Sequence, residues 1–477
     1  MAGIKSLAKD TVIYGLSSII GRFLNWCLVP LYTINFAPSE YGIVTYLYSI
    51  VALALIILTY GMETGFFRFI NARDEQNPMQ VYSTSLISLM ITSSIFTVLV
   101  FLFQGQIAEW MNVPEHPEYI TLLATTVAID AFSCIPFAYL RYQKRPIRFA
   151  AVKLIGIGVN IALNLIFILG LGFGIESIFV ANIISTVVTL LCLIPQLFGF
   201  RYVFNTALLR RMLSYSFPLL ILGIAGILNQ TIDKILLPEL IPDHHEAMTA
   251  IGIYGANYKI AIVMVMFIQA FRFAYEPFVF AQNKDENGKR KTQAYIDAMK
   301  YFIIFAYIIF LAVMFYMPVL KYFISSRYFE GLKVVPVIML GELFFGVCFN
   351  LSLWYKLTDR TQWGTYITLL GLAVSIIGNY LLVPRMGYMG CAWTAFACYF
   401  IMMVVSYLLG RKYYPIAYDL RSAGVYGVIA AVLYFIGMAI PSDSEILQLA
   451  LRSILLIGFI SLIVKREHIP MPIKRRK

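Results

Sequence analysis

The chain has 477 residues, 60% of them hydrophobic and 13% charged, with a formal net charge of +12. A mean hydropathy of +0.78 excludes a soluble globular domain and leaves an all-α polytopic membrane protein. A basic soluble chain would raise nucleic acid as a partner, but here the cations cluster at the ends of apolar segments, so no nucleic-acid partner is expected.

Taken in order, the apolar runs predict about fourteen membrane spans, near 10–36, 42–68, 81–104, 117–141, 149–171, 175–198, 212–238, 249–281, 295–321, 333–356, 361–383, 388–410, 421–440 and 446–464. The first is too long for a signal peptide and reads as a retained helix. With the N-terminus inside, the inner segments hold most cations: Lys5, Lys9, Arg68, Arg73, Arg141, Lys144, Arg145, Arg148, Lys153, Arg201, Arg210, Arg211, those of 284–300, Lys356, Arg360, Arg411, Lys412, Arg421 and the tail after Lys465. The outer segments hold only Lys321, Arg327, Lys333 and Arg385. This asymmetry predicts an N-in/C-in topology. The tail KRRK reads as a topology and anionic-lipid anchor.

Charges inside hydrocarbon cost about 2.5–3.5 kcal/mol on insertion scales and usually face a cavity or a partner. Span 1 carries Arg22, with Tyr14, Ser18 and Asn25 near it on the helical wheel; span 2 carries Glu63 near its inner end, with Arg68 just beyond. Span 4 carries Asp130 and span 10 carries Glu342, both read as buried hydrogen-bonding groups or as functional ones. Asp233 and Lys234, near the outer end of span 7, are expected to snorkel to the interface or to join a cavity wall. Span 8 is the most unusual: Tyr254 to Phe280 is long and apolar, yet places Tyr258, Gln269, Arg272 and Glu276 on one face, with Lys259 at its edge. At 1.5 Å per residue, Arg22 lies roughly 18 Å and Lys259 roughly 15 Å from the starts of their spans, near mid-depth. Arg272 and Glu276 fall near the inner edge, level with Glu63 and Arg68, and read either as part of a gate or as a self-neutralising i, i+4 pair. Facing basic groups at mid-depth suit an anion, phosphate above all.

The sequence also repeats itself. YGIVTYLYSI at 41–50 matches IGIYGANYKI at 251–260, and NLIFILGLGFGIESIFVAN at 164–182 matches NYLLVPRMGYMGCAWTAFA at 379–397. Gly172 pairs with Gly387 and Asn164 with Asn379. Spans 1–6 and 7–12 are thus two parallel six-helix lobes, 1–198 and 212–412, joined by a cytoplasmic linker at 199–211 and followed by two C-terminal helices and a basic tail in 413–477. Two parallel lobes suit an alternating-access carrier. The six cysteines lie in apolar segments without a CxxC pair, His244 and His245 are adjacent in a loop, and no catalytic constellation stands on a loop, so neither a metal, a cofactor nor an enzyme is expected. A coupling ion, H+ or Na+, is compatible with a carrier, and no residue identifies it.

The segment GNYLLVPRMGYMGCAWTAFACYF (378–400), its weaker copy at 163–185 and SFPLLILGIAGILNQTIDKILL (216–237) resemble the polysaccharide-specific transporters, the Wzx-type members of the multidrug/oligosaccharidyl-lipid/polysaccharide flippase superfamily. The first copy departs from the pattern, with Leu169 where Pro384 stands in the second. The resemblance implies a bacterial inner-membrane flippase for undecaprenyl-diphosphate-linked oligosaccharide, serving O-antigen, capsule or exopolysaccharide synthesis. Membrane lipids, a polymerase and glycosyltransferases are the implied partners. By span, it implies that Arg22, Lys259 and Arg272 bind the diphosphate. A cation-coupled drug antiporter and a peptidoglycan lipid II flippase are the alternatives.

Overall fold

The computed structural model describes residues 15, 17, 19–71, 77–198, 201–282, 288–440 and 444–467; of the side chains at 274 and 276–291 nothing is described. Tyr14, Ser18, Arg73 and the KRRK tail therefore lie outside the described residues. After helical residues 19–26 come α1 (Val29–Asn35), α2 (Pro38–Thr59), α3 (Met62–Ile70), α4 (Pro78–Leu102), α5 (Gln104–Trp110), α6 (Pro117–Tyr142), α7 (Pro146–Leu165), α8 (Glu176–Leu197), α9 (Thr206–Leu240) and α10 (His244–Gln282). Then follow α11 (Gly288–Phe315), α12 (Val335–Leu351), α13 (Leu353–Leu357), α14 (Gln362–Met386), α15 (Tyr388–Tyr413), α16 (Leu420–Ala439) and α17 (Glu445–Arg466). Thirteen helical stretches among the described residues are long and apolar enough to cross a membrane. The first predicted span falls partly outside them.

The helices begin where the sequence supplies a cap. Proline opens α2, α4, α6 and α7, where its missing N–H is no loss. Asn77, Asn205 and Asp419 each accept from backbone N–H groups of the first turns of α4, α9 and α16. Between α2 and α3 the chain turns at Tyr60 and Gly61, both with positive φ (35° and 70°). Only glycine tolerates the second position freely, and Gly61 also lies against the Ser216 backbone of α9.

The chain forms two compact units, 1–255 with 368–391, and 256–367 with 392–477. In the first, α3, α4, α6 and α9 enclose a core of Met62, Phe66, Tyr82, Leu89, Ile135 and Met212. The sequence repeat is visible in its backbone. A methyl group on Gly42 of α2 would fall inside the contact radius of the Met248 carbonyl oxygen, and one on Gly252 of α10 would do the same to Pro38. That contact is reciprocal at an offset of 210 residues. Gly172 and Gly387 both take positive φ, 67° and 56°. Asn164 and Asn379 both donate from Nδ2 to the carbonyl four residues back, at 2.8 and 2.7 Å.

In the second unit, α12 follows a 3-10 segment (Ser326–Val334), and α16 and α17 are fixed to α11 at both ends. Buried Arg452 donates from Nε to the Gly437 carbonyl at 2.9 Å and reaches the Phe315 carbonyl at 3.5 Å. A guanidinium thus covers the C-terminal ends of α16 and α11, where carbonyls lack helical partners and a cation meets the negative dipole end. At the other end, Glu467 accepts from Lys300 Nζ and from the Tyr426 hydroxyl, both at 2.6 Å. Burial alone would raise the Glu467 pKa. The hydrogen bonds from Lys300 and Tyr426, with the charges of Lys300 and Arg466, outweigh it and hold the carboxyl below its ordinary 4.5. The stabilisation is therefore complete above that ordinary value and is lost as pH falls through the lowered folded one. Glu467→Gln is expected to cost about 1–2 kcal/mol at pH 7, discounted for the water that still reaches the pair, and to speed hydrogen exchange at the adjoining ends of α16 and α17. The unsubstituted protein should show the same increase only below pH 4.5. Equal exchange in both proteins at pH 7 would refute the latch.

Candidate functional site

In the first unit a polar wall runs across α2, α6, α7 and α8. The Tyr32 hydroxyl of α1 donates to Asn164 Oδ1 at 3.0 Å, Asn164 continues to Asn160, and Asn160 Nδ2 approaches Ser185 Oγ at 3.5 Å. Asn182 donates to the Tyr48 hydroxyl at 2.9 Å, and Asp130 of α6 and Thr186 of α8 belong to the same wall. Arg22, Asn25, Asp130 and Lys153 all keep solvent-accessible surface. Gly21 lies against Ile157 of α7, one turn beyond Lys153, and Lys153 feels the charges of Asp130, Arg141 and Arg22. Lys153 Nζ sits 5.0 Å from the centre of the Phe137 ring and 5.8 Å from that of Phe149.

Glu63 pairs with Arg141 of α6, whose guanidinium also lies over Phe67 at 4.7 Å, while Arg68 lies over Tyr215 at 5.1 Å. The neighbour that the sequence suggested for Glu63, Arg68, thus turns to an aromatic ring instead. The snorkelling expected of Asp233 and Lys234 does not occur. Lys234 Nζ lies 3.0 and 3.1 Å from the two Asp233 carboxylate oxygens and 3.2 Å from the Gln230 carbonyl. The two side chains keep only 10% and 11% of their surface, under the Tyr254 ring and beside Cys391. The physical reason is that adjacent opposite charges neutralise one another in place, so the ammonium need not reach water.

In the second unit the Tyr258 hydroxyl donates to Glu342 at 2.8 Å, so buried Glu342 is a hydrogen-bonding group, one of its two sequence readings. Lys259 and Gln269 are half-buried and Arg272 is exposed. Arg272 and Lys356 lie over the same Phe349 ring, at 4.6 and 4.8 Å from its centre. The side chain of Glu276 lies outside the described residues, so its pairing with Arg272 does too. Of the three residues implied for the diphosphate, Arg22 belongs to the first unit and Lys259 and Arg272 to the second.

Sequence reasoning missed Lys153. The sequence places it with the cations of the inner end, because Arg145 and Arg148 precede it. Helix α7, however, begins at Pro146, and Lys153 stands two turns inside it. The signal available was the 3.6-residue period placing Lys153, Gly156 and Asn160 on one face. Among the described residues, no three His, Cys, Asp or Glu side chains could hold a metal ion.

Against known proteins, residues 7–281 match the family model described as polysaccharide biosynthesis protein. No curated protein matches the chain. Among solved structures, a lipid II flippase MurJ in an inward closed conformation superposes with a TM-score of 0.76 at 13% identity, covering 97% of this chain and 100% of its own. An inward-facing multidrug resistance MATE family transporter of the MOP superfamily gives a TM-score of 0.67 at 18% identity, with 84% and 94% coverage. A MATE structure in the straight conformation gives 0.61 at 18%, with 86% and 95%. At such identities these likenesses establish the fold. With the family model spanning more than half its length, the chain belongs to the polysaccharide biosynthesis protein family.

Proposed function

We propose that the protein flips an undecaprenyl-diphosphate-linked oligosaccharide from the inner to the outer leaflet of the bacterial cytoplasmic membrane by alternating access. The observation that carries this reading is the composition of the polar wall in the first unit. It combines cations at Arg22 and Lys153 with amides and hydroxyls at Asn160, Asn182, Tyr48 and Thr186. Cations suit a diphosphate, and a bank of amides and hydroxyls suits sugar hydroxyls. Cationic drugs would be repelled by the same two basic groups.

In this reading Arg22, Lys259 and Arg272 hold the diphosphate while the prenyl tail stays in lipid. Asn25, Tyr258 and Gln269 line the path, and Glu63, Arg68 and Glu276 stand at its inner end. A coupling ion, H+ or Na+, drives the cycle; 100 mV is worth about 2.3 kcal/mol per charge moved. The polymerase and glycosyltransferases of the same pathway are its partners. In a strain dependent on this gene for polymer export, Arg22→Ala and Lys259→Ala are each expected to abolish export at unchanged protein level. Normal export by both would overturn the anion-binding assignment. A second reading, the lipid II flippase, is favoured by the full-length superposition on that structure. Rescue of a strain lacking its own lipid II flippase would establish it.

A further inference from the structure

We propose that the inner end of the second unit holds one anionic phospholipid of the inner leaflet, its phosphate met by Arg411 in the field of Arg360 and Lys412 and its glycerol end seated in the groove beside Trp354. The inference goes beyond the transport reading and requires nothing of the transported substrate.

Helix α15 ends in Arg411, Lys412 and Tyr413, and Trp354 of α13 and Trp363 of α14 pack on that end. Buried Trp354 stacks on Tyr413 at 5.7 Å between ring centres and donates from Nε1 to Ser406 Oγ at 3.4 Å. Trp363 leans on both rings, at 6.2 and 5.7 Å. Gly410 makes room for the indole, since a methyl group there would stand 3.0 Å from Trp354 Cδ1. A groove opens beside Trp354 and Gly410, walled by the half-buried rings of Tyr407, Tyr414 and Tyr418. Exposed Arg411 stands on its rim, 5.9 Å from the centre of the Tyr407 ring. Arg360 and Lys412, also exposed, lie over the single Tyr413 ring at 4.5 and 5.5 Å. Two cations on one ring stand within a Debye length, roughly 10 Å at 0.1 M salt, and repel one another. Among the described residues none of the three forms an ion pair. The nearest acids in sequence do not meet them: Asp359 forms no ion pair either, and Asp419 caps α16 by accepting from the Ser422 N–H at 3.0 Å. The positive charge is thus left for a ligand. A guanidinium over a ring keeps its N–H edge for an acceptor, and a phosphate can take it bidentately. The charge asymmetry places this end inside, where anionic headgroups attract cations and where tryptophan and tyrosine collect at headgroup level. A charge that served orientation alone could point into water, whereas these are fixed on an aromatic stack. A soluble anion would use the cations and have no need of the groove.

The test titrates dioleoyl phosphatidylglycerol into the full-length protein in neutral detergent micelles and follows the thermal midpoint, which rises as a ligand binds the folded state. Dioleoyl phosphatidylcholine is the neutral lipid control, and glycerol phosphate the soluble anion. Phosphatidylglycerol is expected to raise the midpoint saturably, and the other two are not. Arg411→Gln is expected to raise the half-saturating lipid fraction about fivefold, the worth of one cation near an anionic surface, and Arg411→Lys by less. Arg145→Gln, which removes an exposed inner cation of the first unit, is expected to leave the curve unchanged. An equal rise with phosphatidylcholine, or an unchanged curve in Arg411→Gln, overturns the site. So does an equal rise with glycerol phosphate, which would make the ligand a soluble anion. A loss in Arg145→Gln as large as that in Arg411→Gln also overturns it, because the attraction would then be spread over the whole inner surface. If Arg411→Gln does not fold, the double variant Arg360→Gln, Lys412→Gln carries the test: a fivefold or larger loss supports the site, and an unchanged curve overturns it.

Discussion

Gly42→Ala and Gly252→Ala are each expected to reduce sharply the amount of folded protein in the membrane, and by similar amounts. In hydrocarbon, helices associate through close packing at small residues, since lipid offers no hydrophobic drive between them. Here the obstacle is backbone rather than side chain. The added methyl group would collide with the Met248 carbonyl in one case and the Pro38 carbonyl in the other. No rotamer change relieves such a clash, so α2 and α10 must separate along their crossing. The cost belongs at the upper end of overpacking penalties, about 3 kcal/mol. Because one separation makes room for both methyl groups, the double substitution should cost clearly less than the sum of the singles. Gly158→Ala is the control: no heavy atom lies within 4 Å of its added methyl group, and the helix propensity of alanine should make it neutral or slightly stabilising. Thermal midpoints of the detergent-solubilised variants, read by size-exclusion chromatography, give all four values. Tolerance of both single substitutions, or additive costs, would show that the crossing is not the tight one described.

The same glycines show why part of this molecule is legible in its sequence. Repeats, membrane spans and left-handed turns depend on local composition, and local composition is preserved in the text. The match of 41–50 to 251–260 becomes a reciprocal backbone contact, and the match of Gly172 to Gly387 becomes a shared positive φ. Partner choice between distant charges depends instead on helix rotation and helix starts, to which single residues are sensitive. Glu63 has Arg68 five residues on, which the helix turns to a different side, and it pairs with Arg141 of α6 instead. Lys153 falls inside the span predicted at 149–171 but reads there as an inner-end cation, and the start of α7 at Pro146 sets it two turns into the helix. Arg452, a bare charge in an apolar run, becomes a cap on two helix ends that lie 15 and 137 residues from it in sequence. The spans were thus open to reading, while the wall between them was not.

Asp233→Asn is expected to be among the most damaging single changes in the first unit, with Lys234→Met close behind. Both side chains are about nine-tenths buried, and Lys234 takes three of its contacts from Asp233 and the Gln230 carbonyl. Removing either partner leaves the other charge in a low dielectric, which typically costs about 3–5 kcal/mol. Replacing both removes the charges together, and a buried pair exchanged for neutral groups of similar volume is often neutral or stabilising. The double variant Asp233→Asn, Lys234→Met should therefore recover most of the folded protein that each single change loses. Its transport then separates two roles for the pair. A pin between α9 and the covering groups Tyr254 and Cys391 needs only volume and neutrality, so export should return with stability. A gate residue or ion-coupling group needs the charge, so a stable double variant would remain inactive. The burial of the pair and its adjacent, self-contained neutralisation favour the pin, and export by the double variant at half the unsubstituted rate or better is the expected result. A folded but inactive double variant would move Asp233 and Lys234 into the transport cycle, because loss of the charges alone would then stop transport in an intact fold.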